Sequence, residues 1–130
     1  MGKEFNITPV NVKHVETKYR LIQTPIPHPE SLPTLEKLRR LEPASMQGQP
    51  PIVWERAEDI FVYDKHGNRW LDWSSGVLVT NAGHGVPEVR QAIIDQVNSG
   101  LLHNYVFPSE ERAELVELLA SVSPQGLDKV

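Results

Sequence analysis

Few side chains in this sequence have the neighbours that chemistry requires. Ser74 and Ser75 offer hydroxyls, but the sequence shows no positioned base for them, so a nucleophilic serine is not expected. His14, His28, His66 and His103 lack metal-ligand spacing with one another, and the chain contains no cysteine. His84, between Gly83 and Gly85, reads either as a ligand or base or as a structural hydrogen-bonding residue ahead of a helix, and the second reading is preferred. Gly76, Gly83 and Gly85 do not have the spacing of a dinucleotide fingerprint or a phosphate loop. What remains is Val77-Leu78-Val79, an apolar tripeptide held between Ser74-Ser75-Gly76 and Asn81-Ala82-Gly83-His84-Gly85. Such a tripeptide is a poor strand but suits the lining of a cavity, because glycine lets a ligand or another backbone approach.

The elements that must hold this loop are legible around it. Ile60, Val62 and Trp70 alternate with polar or turn residues, as in a half-buried strand. Asp64, Gly67 and Asn68 supply turn chemistry. Strands are expected at 52–55, 60–63 and 69–73, the first at a sheet edge because Pro50-Pro51 precedes it. Trp54, Trp70 and Trp73 are expected to anchor the hairpin core. A helix is expected over 87–99, with Pro87 first, Glu88 in the first turn, Val89, Ala92, Ile93, Gln96 and Val97 on one face, and Gly100 at the end. Ser109 should cap a further helix, with Glu110 and Glu111 at its start and Leu115, Val116, Leu119 and Val122 inward, ended by Pro124 and Gly126.

Residues 1–51 form a proline-rich arm with eight of the eleven prolines. Thr24 to Pro29 should be extended. One short helix is expected over 33–41, capped by Ser31 or Thr34 and edged by Leu35, Leu38 and Leu41. The backbone entropy of ordering this arm exceeds what its few aliphatic side chains return on burial, so it is either disordered or laid over a surface outside itself, and its leucine spacing favours docking.

The string D-x-x-G-N-R-W-L-D-W-S-S-G-V-L-V-T-N-A-G-H-G-x-P, from Asp64 to Pro87, resembles the N-terminal region of class III (ω-) aminotransferases of the 4-aminobutyrate aminotransferase-like kind. The resemblance runs from about Ile52 onward. One departure is Val86, where the family often has histidine before the proline. The resemblance implies an α+β segment, with an N-terminal arm, a short antiparallel β-sheet and two or three helices, forming part of the small domain of a fold type I transferase that depends on pyridoxal 5'-phosphate (PLP). It divides the chain into an arm (1–51), a small-domain sheet, pocket loop and helix (52–107), and a helix opening the large cofactor-binding domain (108–130). It also implies that the sequence is the N-terminal part of a longer enzyme.

PLP chemistry needs a lysine for the Schiff base, a carboxylate at the pyridine nitrogen, a phosphate cradle and commonly a stacking aromatic. In the family these lie beyond Val130. Lys3, Lys13, Lys18, Lys37, Lys65 and Lys129 all sit in the arm, a turn or a polar terminus, so no catalytic or cofactor-binding residue is assigned. By resemblance, Ser75, Gly76, Val77 and Leu78 line one wall of the substrate pocket, with Val77 and Leu78 where the family varies bulk to select donors. The alternative is that the two are merely packed under the loop. Asn104, Tyr105 and Phe107 resemble a loop that crosses a homodimer interface to the other subunit's pocket, the alternative being interface packing alone.

Composition agrees with a globular protein: 39% hydrophobic and 23% charged residues, with a net charge of −4. With no basic stripe, no nucleic-acid partner is expected. With no apolar run of membrane-spanning length or signal-like start, no membrane partner is expected and the expected location is cytoplasmic. The leading function is amino transfer from an amino acid or ω-amino donor to a 2-oxo acid by the longer enzyme, this chain being inactive alone. A non-catalytic interaction or assembly module, and an aminomutase of the same fold, stay open.

Overall fold

The computed structural model describes residues 5–46, 48–127 and 129–130. It divides into two compact units, 1–89 and 90–130.

The first unit is built on a five-stranded antiparallel sheet. Its strands are β1 (Val15–Glu16), β2 (Leu21–Ile22), β3 (Arg56–Glu58), β4 (Phe61–Tyr63) and β5 (Arg69–Leu71), in the spatial order β1-β2-β5-β4-β3. At its centre Val62 pairs with Trp70 and is 2% exposed. Its companion in the core is Ile22 of the arm. Cross-strand cations cover the aromatic faces: the Arg56 guanidinium lies 3.5 Å from the Tyr63 ring centre and that of Arg69 lies 4.8 Å from Phe61.

The β4–β5 turn follows from local chemistry. Asp64 Oδ1 accepts from the amides of His66 and Asn68, both at 2.9 Å, and Gly67 takes φ +86°. Asn68 is fully buried. Its Oδ1 accepts from the amides of Gln23 (2.8 Å) and Thr24 (3.3 Å), and its Nδ2 donates to Thr24 Oγ1 (2.6 Å) and Asp64 Oδ2 (2.7 Å). One amide side chain thus ties the arm to the hairpin.

The arm is docked on its own chain. β1 and β2 extend the sheet through β2–β5 pairing, and Val10 bridges Ile26. Arg69 Nη2 donates to the Thr17 and Lys18 carbonyls, both at 3.1 Å, which closes the β1–β2 turn. After a 3-10 turn at Pro29–Ser31 comes α1 (Leu32–Leu41). Ser31 stands at its N-cap but makes no side-chain cap bond; its hydroxyl instead meets His66 Nε2 at 3.3 Å.

Two expectations for the hairpin are corrected. The first hairpin strand lies at Arg56–Glu58 rather than 52–55, because the Ile52 amide bonds back to the Pro50 carbonyl and ladder pairing starts only with Glu55 N on Tyr63 O. Trp73 is not a core anchor: it is 90% exposed, and Trp54 is also exposed. β5 ends at Leu71, before Trp73 can be held against the sheet.

The helices α2 (Pro87–Ser99) and α3 (Glu110–Val122) fall where their caps predict. Ser109 Oγ accepts from the Arg112 amide at 3.3 Å, and Gly100 ends α2 at φ +80°. Neither helix buries a residue; the faces of Ile93, Val97, Leu115 and Val122 are exposed. Patterning identifies an apolar face, but its burial depends on a partner surface. Among the described residues no helix is long and apolar enough to cross a membrane.

Candidate pocket wall

Asp72 follows β5 directly and its side chain is 4% exposed. Its Oδ1 accepts from the Ser74 amide (2.8 Å) and the Ser74 hydroxyl (2.6 Å). Its Oδ2 accepts from the Gly76 amide (2.8 Å) and pairs with His84 Nε2 (2.7 Å). An ionised carboxylate only accepts, so Nε2 carries the proton. Burial pushes the Asp72 carboxyl up, but the bonds from the Ser74 hydroxyl, His84, and the Ser74 and Gly76 amides overcome this and hold it well below the usual carboxylate range.

His84 is fixed from behind. Its backbone exchanges both hydrogen bonds with Asp59, at 2.6 and 2.8 Å, and its ring meets the Trp54 ring edge-on at 6.1 Å. This is the structural role preferred for His84 from sequence.

The segment held by Asp72 has an unusual backbone. Ser75, Gly76, Val77 and Leu78 take φ of +51°, +60°, +65° and +67°. The Leu78 amide donates to Ser74 O at 2.8 Å, and the Val79 and Thr80 amides donate to Ser75 O at 3.0 and 2.9 Å. The result is a single left-handed helical turn. Each of its three side-chain-bearing residues costs roughly 1–2 kcal/mol in this conformation. A hydrogen bond to a charged group contributes about 1.5–3 kcal/mol, so the Ser74 and Gly76 amides bonding Asp72 offset strain of that order.

The turn borders a groove of about 660 Å³ whose other walls include Pro50, Ile52, Trp54, Val62, Trp70 and Leu71. Of the sequence-selected residues Ser75, Gly76, Val77 and Leu78, the groove is lined by Gly76 and Val77, together with Asp72 and Ser74. Val77 and Leu78 are 78% and 79% exposed, so neither is packed under the loop. Asn104, Tyr105 and Phe107 belong to the second unit. There Asn104 Oδ1 accepts from the Phe107 amide at 3.0 Å, while Tyr105 and Phe107 stand exposed.

Sequence reasoning missed two features. Asp72 carries no motif of its own; an aspartate two residues before a serine and four before a glycine is the faint available signal. His28 and His66 stack at 3.5 Å and 15°, beside Glu30. Ligand lone pairs lie in the ring planes, and two parallel planes at this separation do not converge on one ion. The His28 Nδ1 also accepts the Glu30 amide at 3.2 Å. The stack fastens the arm to the hairpin turn. The described lysines, Lys13, Lys18, Lys37, Lys65 and Lys129, are all exposed.

The family described as aminotransferase class-III matches residues 43–130. The chain is 33% identical over 79 residues to a [LysW]-aminoadipate semialdehyde transaminase of Deinococcus radiodurans, covering 61% of this chain and 18% of that protein. It is 36% identical over 73 residues to an ornithine aminotransferase of Brevibacillus brevis, covering 56% and 18%. It is 31% identical over 81 residues to a diaminobutyrate–2-oxoglutarate transaminase of Halomonas elongata, covering 60% and 19%. The chain thus spans under a fifth of the length of these relatives. With the match extending over more than half of its residues, this chain belongs to the class III aminotransferases.

Proposed function

We propose that this chain forms one wall of the substrate pocket of a PLP-dependent aminotransferase, which moves an amino group from an amino acid or ω-amino donor to a 2-oxo acid. The observation that carries the reading is the left-handed turn at Ser75–Leu78, which sets Val77 at the rim of an apolar groove. An apolar rim excludes water from the donor's carbon chain and limits its width. In this reading Ser75 and Gly76 contribute backbone, Val77 and Leu78 size the donor, and Asn104, Tyr105 and Phe107 reach the partner's pocket in a homodimer.

The class implies PLP, but the described residues do not fit its anchoring. The described lysines are exposed, and the one buried carboxylate at the groove, Asp72, is fully engaged by its own chain. No step through the cofactor is assigned to these residues. The groups that hold it are proposed to lie elsewhere in a longer enzyme, and the chain alone is proposed to be inactive.

Two assays test this. PLP added to the 130-residue chain should give no lysine-bound absorbance near the visible edge and no borohydride-fixed adduct; a stoichiometric adduct on one lysine overturns the claim of inactivity. In the complete enzyme, glutamate should form from 2-oxoglutarate with ornithine or 2,4-diaminobutyrate as donor. Failure with every α- and ω-amino donor overturns the aminotransferase reading.

A further inference from the structure

We infer that Asp72 is a positioning residue whose carboxylate selects the left-handed conformation of Ser75–Leu78, and so sets how far Val77 closes the groove against the donor's carbon chain. This rests on the pocket-wall reading above. Three of the four residues in the turn carry side chains, so their own preference is for negative φ. The conformation is therefore imposed from outside the turn. Asp72 is placed to impose it: one oxygen gathers the Ser74 amide and hydroxyl, and the other gathers the Gly76 amide and His84. His84, locked to Asp59 by a two-bond bridge, holds that second oxygen in place. The carboxylate thus joins the end of β5, the turn and the Asp59–His84 bridge at one point.

Asparagine cannot replace it. All of its partners are donors, and an asparagine would turn an NH2 group on one pair of them. His84→Gln, by contrast, keeps a donor for Oδ2.

The test is the sign of φ at Ser75, Val77 and Leu78, read from scalar couplings and cross-correlated relaxation in the isotopically labelled 130-residue chain. All three should show positive φ in the wild type and in His84→Gln. In Asp72→Asn, Val77 and Leu78 should lose positive φ while β4–β5 pairing is retained. Positive φ persisting throughout Asp72→Asn overturns it. Should Asp72→Asn also lose β4–β5 pairing, Ser74→Ala decides, because it removes one bond and leaves the carboxylate in place. Amide exchange at Leu78 and Val79 should then speed up about tenfold with β4 and β5 unchanged; unchanged exchange at the turn overturns the inference. In the complete enzyme, Asp72→Asn should change the ratio of KM for the longest and shortest donors about tenfold. A turn that converts while the KM ratio stays put overturns the pocket-wall reading instead of the positioning role.

Discussion

Two turns in the first unit are each organised by one aspartate, and they solve opposite problems. At 64–68, Asp64 bonds the amides of His66 and Asn68, and the positive φ falls on Gly67, where no Cβ resists it. At 72–78, Asp72 bonds the amides of Ser74 and Gly76, but positive φ falls on Ser75, Val77 and Leu78 as well as on Gly76. The first turn is what its residues prefer. The second is held against preference by a buried carboxylate, next to a groove. Backbone strain that persists because its surroundings over-determine it tends to mark a site of function, and here it sits where Val77 meets the open groove.

Removing Asn68, which ties the first turn to the arm, should have the largest effect. Asn68→Ala leaves the Gln23 and Thr24 amides, Thr24 Oγ1 and Asp64 Oδ2 without their shared partner. The expected loss is about 3–4 kcal/mol of unfolding free energy, read as a lower urea midpoint, with the arm strands β1 and β2 released first. Next in size, Gly67→Ala should cost about 2 kcal/mol, since the new Cβ meets both a positive φ and the Gln23 side chain. Gly76→Ala should cost only about 1 kcal/mol: its Cβ would meet Val79 Cγ2 at 3.4 Å, an ordinary contact, and its neighbours already bear side chains in the same conformation. Equal costs at the two glycines would erase the contrast between the turns.

The pH dependence is a finer test. The folded pKa of Asp72 lies below its unfolded value, so its contribution is fully present above the ordinary carboxylate range, near 4, and fades only as pH falls toward the depressed folded value. Amide protection at Leu78, corrected for intrinsic exchange, should therefore hold from neutral pH down to about 4 and weaken below it. A turn that opens between pH 7 and 5 would contradict the assignment of Asp72 as its anchor.

The same contrast explains what could be read from the sequence. The 64–68 turn, the ends of α2 and α3 and the cap at Ser109 were legible because their signals are local: an aspartate with glycine and asparagine, a proline at a helix start, a serine before two glutamates. The left-handed turn was not legible, since Ser-Gly-Val-Leu carries one glycine for four positive φ values. Val77-Leu78-Val79 pointed to a cavity lining, and the groove does include Val77, yet the residue that holds it there lies five positions upstream. The two-residue strands β1 and β2 are too short for any periodicity, and their place in the sheet depends on Asn68, more than forty residues away. The His28–His66 stack is long-range in the same way. The apolar faces of α2 and α3 were visible as patterns, but nothing in a pattern says what covers them.

The most direct test of the central claim, that Val77 at the rim of this groove sizes the donor, is the donor-length profile of Val77→Ala in the complete enzyme. The ratio of kcat/KM for a donor one methylene longer over the shorter one should rise about tenfold. A ratio unchanged from wild type would contradict it and remove this turn from the substrate pocket.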